Sequence, residues 1–174
     1  MKKNGLDILC EFTDQQHINN AMGVLKGKSL TIFYLKLRHN NLRKLPGFVF
    51  LSLDIRHLTI HNSSLSVVEE ASLSSIGNSF SAFGEESLVK LPFLGCAFSG
   101  KMLTQLDLSQ NSLTSVPSTA FKSLHQLLLL NINHNKINSL HAKAFEGLDT
   151  LEILTLYENK ISNIDPEAFV GLEK

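Results

Sequence analysis

Leu103-Thr-Gln-Leu106-Asp-Leu108-Ser-Gln-Asn111-Ser-Leu113-Thr-Ser-Val116 is the stretch that decides the fold, because its apolar skeleton returns twice in phase. Leu127, Leu130, Ile132, Asn135, Ile137 and Leu140 repeat it, and Leu151, Leu154, Leu156, Asn159, Ile161 and Ile164 repeat it again. The Asn positions (111, 135, 159) are 24 residues apart, and each copy is followed by a Phe and a Leu: Phe121/Leu124, Phe145/Leu148 and Phe169/Leu172. Carried backward, the Asn column reads Asn40, Ser63 and Glu86, in steps of 23, 23 and 25 residues up to Asn111. The pair that closes each copy persists as Leu42/Leu45, Leu65/Val68 and Leu88/Leu91.

Six copies at this period resemble leucine-rich repeats, in which one supersecondary unit buries its apolar face only against its neighbours. The expected fold class is an α/β leucine-rich-repeat solenoid. Short parallel strands would form its concave face, with inward pairs Leu35/Leu37, Leu58/Ile60, Leu106/Leu108, Leu130/Ile132 and Leu154/Leu156. An irregular or short-helical return path would form the convex face, filled by Phe50, Phe98, Phe121, Phe145 and Phe169. Asn40, Asn111, Asn135 and Asn159 are expected to be structural, since an Asn amide can donate to and accept from the turn backbone that leaves each strand.

The expected organisation is a partial N-terminal cap at 1–29 and about six repeats at 30–174, with no C-terminal cap. In the cap, Leu6-Asp-Ile8-Leu9-Cys10 alternates as a strand, and Ile18, Ala21, Met22 and Leu25 fall at helical spacing behind Thr13-Asp14. The third repeat, 77–100, is irregular: Ser81 and Phe83 stand at its inward positions, Glu86 in its Asn column, and Gly77, Gly84, Gly95 and Gly100 surround it. It is expected to be the least ordered level.

The 174 residues include 16 basic and 16 acidic side chains, so no overall field draws nucleic acid or an anionic membrane. No run of about 18 apolar residues is present to span a bilayer. The first ten residues are too short in apolar content for a secretory signal, and the chain stops just after Leu172, which reads as a fragment of a longer protein. Cys10 and Cys96, three levels apart, are expected to be free thiols rather than partners.

Side chains expected to face solvent from the strands are Tyr34, Lys36, Arg38, His39, His57, Thr59, His61, Gln105, Asp107, Ser109, Asn131, Asn133, His134, Thr155, Tyr157 and Glu158. Those with a candidate ligand-binding role are Tyr34, Lys36, Arg38, His39, His57, Thr59, His61, Asp107, Asn131, Asn133 and Tyr157. The early levels are basic and His-rich, which suits an acidic protein partner, increasingly so below about pH 6.5 as histidine protonates. Arg38 occupies a ligand position beside His61 and no carboxylate accompanies the histidines, so no metal site is expected. Asn62-Ser63-Ser64 is the one glycosylation sequon. No catalytic constellation or cofactor motif is present; the expectation is a protein-binding module, not an enzyme, without cofactors.

The segments Pro117-Ser-Thr-Ala-Phe121, Ala142-Lys-Ala-Phe145 and Asp165-Pro-Glu-Ala-Phe169, each followed by a Leu three residues on, resemble the "typical" repeats of Slit-like, Toll-like and chaoptin-like extracellular proteins. The N-terminal part, with Leu37-x-x-Asn40-Asn41-Leu42, is most similar to arthropod secreted repeat proteins related to the non-catalytic subunit of the shrimp luciferase. The resemblance implies secretion or cell-surface display, disulfide-bonded caps and protein recognition by the concave face. Two other functions stay open: a non-catalytic accessory subunit of a secreted enzyme, and an intracellular scaffold.

Overall fold

The computed structural model describes residues 5–26, 28, 30–69, 72, 73, 76 and 103–173. Along the chain run β1 (Leu6–Glu11), α1 (Gln15–Lys26), β2 (Thr31–Arg38), β3 (Lys44–Leu45), β4 (Asp54–His61) and β5 (Val67–Val68). They are followed by β6 (Gln105–Asp107), α2 (Ser118–Phe121), β7 (Leu129–Asn131), β8 (Ser139–Leu140), β9 (Ile153–Thr155) and β10 (Asn163–Ile164). Six strands form one sheet in the order β1-β2-β4-β6-β7-β9, every pair of them parallel. Two small sheets, β3–β5 and β8–β10, pair the closing residues Leu45 with Val68 and Leu140 with Ile164. A sheet of parallel strands with few helices fits a leucine-rich-repeat fold.

Period-two alternation sends Leu35, Leu37, Leu58, Ile60, Leu106, Leu108, Leu130 and Ile132 into the core, where each is fully or almost fully buried. Burying such a side chain is worth about 1.5–3 kcal/mol, and the same positions recur on every rung, so this ladder dominates the energetics. Leu154 and Leu156 are only partly buried, because β9 is the outermost strand and no described rung lies beyond it. Phe50, Phe121 and Phe145 are buried behind the sheet, while Phe169 stacks on Phe145 at 5.7 Å with 43% of its surface exposed. Helix α1 turns Ile18 and Met22 into the core and rests Ala21 and Leu25 against it. Asp14 starts that helix by accepting the His17 amide at 2.9 Å.

The Asn column is a hydrogen-bonded ladder. Asn135 Nδ2 donates to Ile132 O (3.1 Å) and Asn133 O (3.1 Å) in its own rung and to Leu108 O (3.0 Å) in the preceding one. Its Oδ1 accepts Leu113 N at 3.0 Å. Asn159 repeats the scheme with Leu156 O, Ile132 O and Ile137 N, and Asn111 repeats it with Leu108 O, Ile60 O and Leu65 N. Asn40 reaches Cys10 O and Thr13 N. Ser63 takes part in the same ladder with a single hydroxyl: its Oγ lies 3.2 Å from Leu37 O in the preceding rung and 3.0 Å from His61 O in its own, and accepts the Asn40 amide at 3.4 Å.

What aims these side chains inward is the backbone of the residue before each. His39, Asn62, Gln110, His134 and Glu158 all have left-handed φ, between 48° and 54°, as does Phe12 one rung earlier, ahead of Thr13. A left-handed turn of this kind costs an L-residue about 1–2 kcal/mol, which the buried amide bonds of the next residue offset.

β4 pairs directly with β6: Leu58 faces Leu106 and Thr59 faces Asp107. The rung expected from Ser81, Phe83 and Glu86 falls on residues outside those described. The irregular repeat itself, 77–100, with Leu88, Leu91, Phe98 and Cys96, lies outside the described residues, as does any statement about Cys96 pairing.

Candidate binding surface

One face of the sheet is covered by the core; the other carries side chains in register rows. The first row runs Tyr34, His57, Gln105, Leu129, Ile153 and the second Lys36, Thr59, Asp107, Asn131, Thr155. A third begins Glu11, Arg38, His61. The structure thus brings together most of the residues singled out by sequence, and adds neighbours they did not predict.

At the N-terminal end the rows form an aromatic and basic cluster. Tyr34 stacks on His57 at 4.7 Å between ring centres, and Phe33 meets the same imidazole edge-on at 5.0 Å. Lys36 Nζ lies 5.0 Å from the centre of the Tyr34 ring, within cation–π range. Arg38 Nε is 3.3 Å from Glu11 Oε1, so the guanidinium is partly answered by a carboxylate that the sequence reading overlooked. Among the described residues Lys36 makes no ion pair, which leaves it as the cation of this face most open to an acidic group.

Along the rim, Phe12 is 81% exposed and stacks parallel to His39 at 5.4 Å. Asn62 Nδ2 lies 3.0 Å from His39 Nδ1, and His61 Nδ1 lies 2.9 Å from Ser109 Oγ. Aromatic packing and hydrogen bonds therefore position the imidazoles of His39, His57 and His61 over two successive rungs.

Two expectations are corrected in the later rungs. Asn133 and Ser109 were expected to face solvent, yet both are buried. Alternation ends where the strand ends: β7 stops at Asn131, the chain bends into the turn, and the Asn133 side chain folds beneath the next rung, where its Oδ1 accepts Tyr157 N at 2.9 Å. Ser109 stands at the same place in the preceding rung. Asp107 and Asn131 lie on the face but bend back on their own turns, accepting Ser109 N (2.8 Å) and Asn133 N (3.1 Å). Conversely, Leu129 and Ile153 occupy the row of Tyr34 and His57, and Ile153 is half exposed. Their position immediately before Leu130 and Leu154 was the available signal; four consecutive leucines at 127–130 obscured it. Tyr157 is exposed and meets His134 edge-on at 5.1 Å.

Three groups elsewhere are electrostatically perturbed. Hydrogen bonds from the His17 amide and ring hold the Asp14 carboxyl below its ordinary range. A hydrogen bond from Lys44, and then one from the Gly47 amide, does the same for Glu69. Partial burial pushes the Cys10 thiol up. Among the described residues no group of three or more His, Cys, Asp or Glu is placed to hold a metal ion. No helix among them is long and apolar enough to cross a membrane.

The family model described as Leucine rich repeat matches residues 101–156 and 130–174. Together with the parallel sheet, these matches support a leucine-rich-repeat protein. Such repeats generally mediate protein–protein interaction and are typically non-catalytic. No curated protein matches the chain.

Proposed function

We propose that this chain is an extracellular recognition module of a leucine-rich-repeat solenoid, which binds a protein ligand on the concave face of its sheet. One observation carries the reading: outward residues differ at every rung while the buried ladder behind them stays constant. A surface that varies over an invariant frame suits selection by a partner rather than by packing.

The N-terminal rungs carry the ligand's acidic part. Lys36 over Tyr34, Arg38 beside Glu11, and the imidazoles of His39, His57 and His61 crowd positive and aromatic groups on one patch. Leu129 and Ile153, farther along the same face, supply apolar area to the same ligand. Secretion or surface display follows the resemblance of the Phe-containing repeats to extracellular ones, and the Asn62 sequon accords with it.

The test is capture of an acidic probe. Immobilised polyglutamate at low salt should retain the wild-type chain, and Lys36→Glu should weaken retention by about tenfold, the loss expected when a rim cation becomes a repelling anion. Reversing Arg38 and His61 as well should abolish it. Unchanged retention across this series, with the circular dichroism of each variant intact, would overturn the acidic-partner reading.

A further inference from the structure

We propose that Asn62 carries an N-linked glycan, and that this glycan screens the basic patch from acidic partners; the second half rests on the reading above. Asn62-Ser63-Ser64 is the chain's one sequon, and the fold treats its three residues differently. Ser63 is buried in the Asn column, whereas Asn62 and Ser64 are exposed, each with left-handed φ (48° and 59°) in the bend that follows β4. A turn of that kind is where the asparagine side chain can project and the hydroxyl two residues on stays accessible. None of the four column asparagines shares this geometry: Asn40, Asn111 and Asn135 are buried, Asn159 partly so, and all four amides are spent on the ladder.

The modification is a balanced group transfer. Asn62 Nδ2 forms a bond to C1 of the first sugar, the C1–O bond to the pyrophosphate of a lipid-linked oligosaccharide breaks, and one amide proton leaves. Nδ2 keeps its other proton, so its contact with His39 Nδ1, 3.0 Å in the unmodified chain, can persist as a donated hydrogen bond. That contact fixes where the sugar starts. It grows from the rim beside His39, next in sequence to His61, whose neighbour across the sheet is Arg38. A bulky, solvated chain rooted there covers the approach to those cations, so the unmodified chain is the capturing form.

The experiment uses the whole chain secreted from eukaryotic cells behind a cleavable leader. Intact mass should fall on peptide N-glycosidase treatment for the wild type and for Ser64→Thr, and stay constant for Asn62→Gln and Ser64→Ala. A secreted wild type with no enzyme-sensitive mass overturns the site. For screening, glycosylated wild type is compared with secreted Asn62→Gln and Ser64→Ala on immobilised polyglutamate; enzymatic removal is avoided because it leaves an aspartate at position 62. Both variants should bind about tenfold more tightly, a free-energy difference near 1.4 kcal/mol. Equal binding of glycosylated and unglycosylated forms overturns the screen. Failure of every form to bind overturns the acidic-partner reading and the screen together, while the mass result decides the sugar site on its own.

Discussion

Asn111 Oδ1 accepts the backbone amide of Ser63 at 3.0 Å across 48 residues of chain, two repeat lengths where every other Asn in the ladder spans one. β4 and β6 are bonded through the same gap, and Leu103 N donates to Ile76 O at 3.2 Å, which closes the chain on both sides of residues 77–102.

The direct pairing of β4 with β6 predicts that the sheet forms without residues 77–102. Replacing them with two glycines should preserve the far-ultraviolet dichroism and a cooperative urea transition, at a midpoint equal to or above that of the intact chain, since a shorter loop costs less entropy to close. Loss of cooperativity would mean that the segment holds the two halves together.

The Asn ladder should be graded by burial. Asn135→Ala strips partners from Leu108 O, Ile132 O and Leu113 N inside the core, and should cost roughly 1–3 kcal/mol for each buried group left unpaired that water cannot reach. Asn159→Ala removes the same pattern from the partly exposed outer rung and should cost less. Urea midpoints of the two variants make the comparison.

Gly147 and Gly171 stand at equivalent turns with φ of 92° and 100°, but a methyl group meets different surroundings at each. At Gly147 it would lie 2.6 Å from Lys122 Cα and carbonyl oxygen, a backbone that cannot step aside; at Gly171 the nearest atom is 3.4 Å away. Gly171→Ala should therefore show only the conformational cost, on the order of 1 kcal/mol, and Gly147→Ala distinctly more. Thermal unfolding in parallel would reverse the assignment if the two melted alike.

Acid should weaken the β3–β5 region through Glu69. Its carboxyl is held below the ordinary value by Lys44 and the Gly47 amide, so the unfolded chain binds the proton first. The contribution is present above the unfolded value, about 4.3, and disappears as pH falls through the lower folded one. Lys44→Met should narrow the drop in melting temperature between pH 7 and pH 3, and added salt should do the same to the wild type. An identical pH profile in the variant would exclude this pair as the cause.

The buried ladder was legible because each of its positions is dictated locally: Leu106 and Leu108 alternate, Asn111 follows at fixed distance, and copies stack in phase. Helix α1 was equally plain from Ile18, Ala21, Met22 and Leu25. Where the strand gives way to the turn, alternation no longer decides which way a side chain points, so Asn133 and Ser109 were placed outside while the fold buries them. Phe12 and His39 share a left-handed backbone that nothing in their side chains announces, since the type of residue varies along that column. The ion pair of Arg38 with Glu11 joins two rungs 27 residues apart and needed the register of β1 against β2 to be seen.

Because β4 and β6 are neighbours, the chain has an uneven response to pulling. Tension between its ends would peel β9 first, where the core is thinnest, and each rung detached from there would free about 24 residues of slack, the separation of Thr155 from Asn131. At the β4–β6 seam a single rupture would release 48, the separation of Ser63 from Asn111, so one extension step in the force trace would be twice as long as its neighbours.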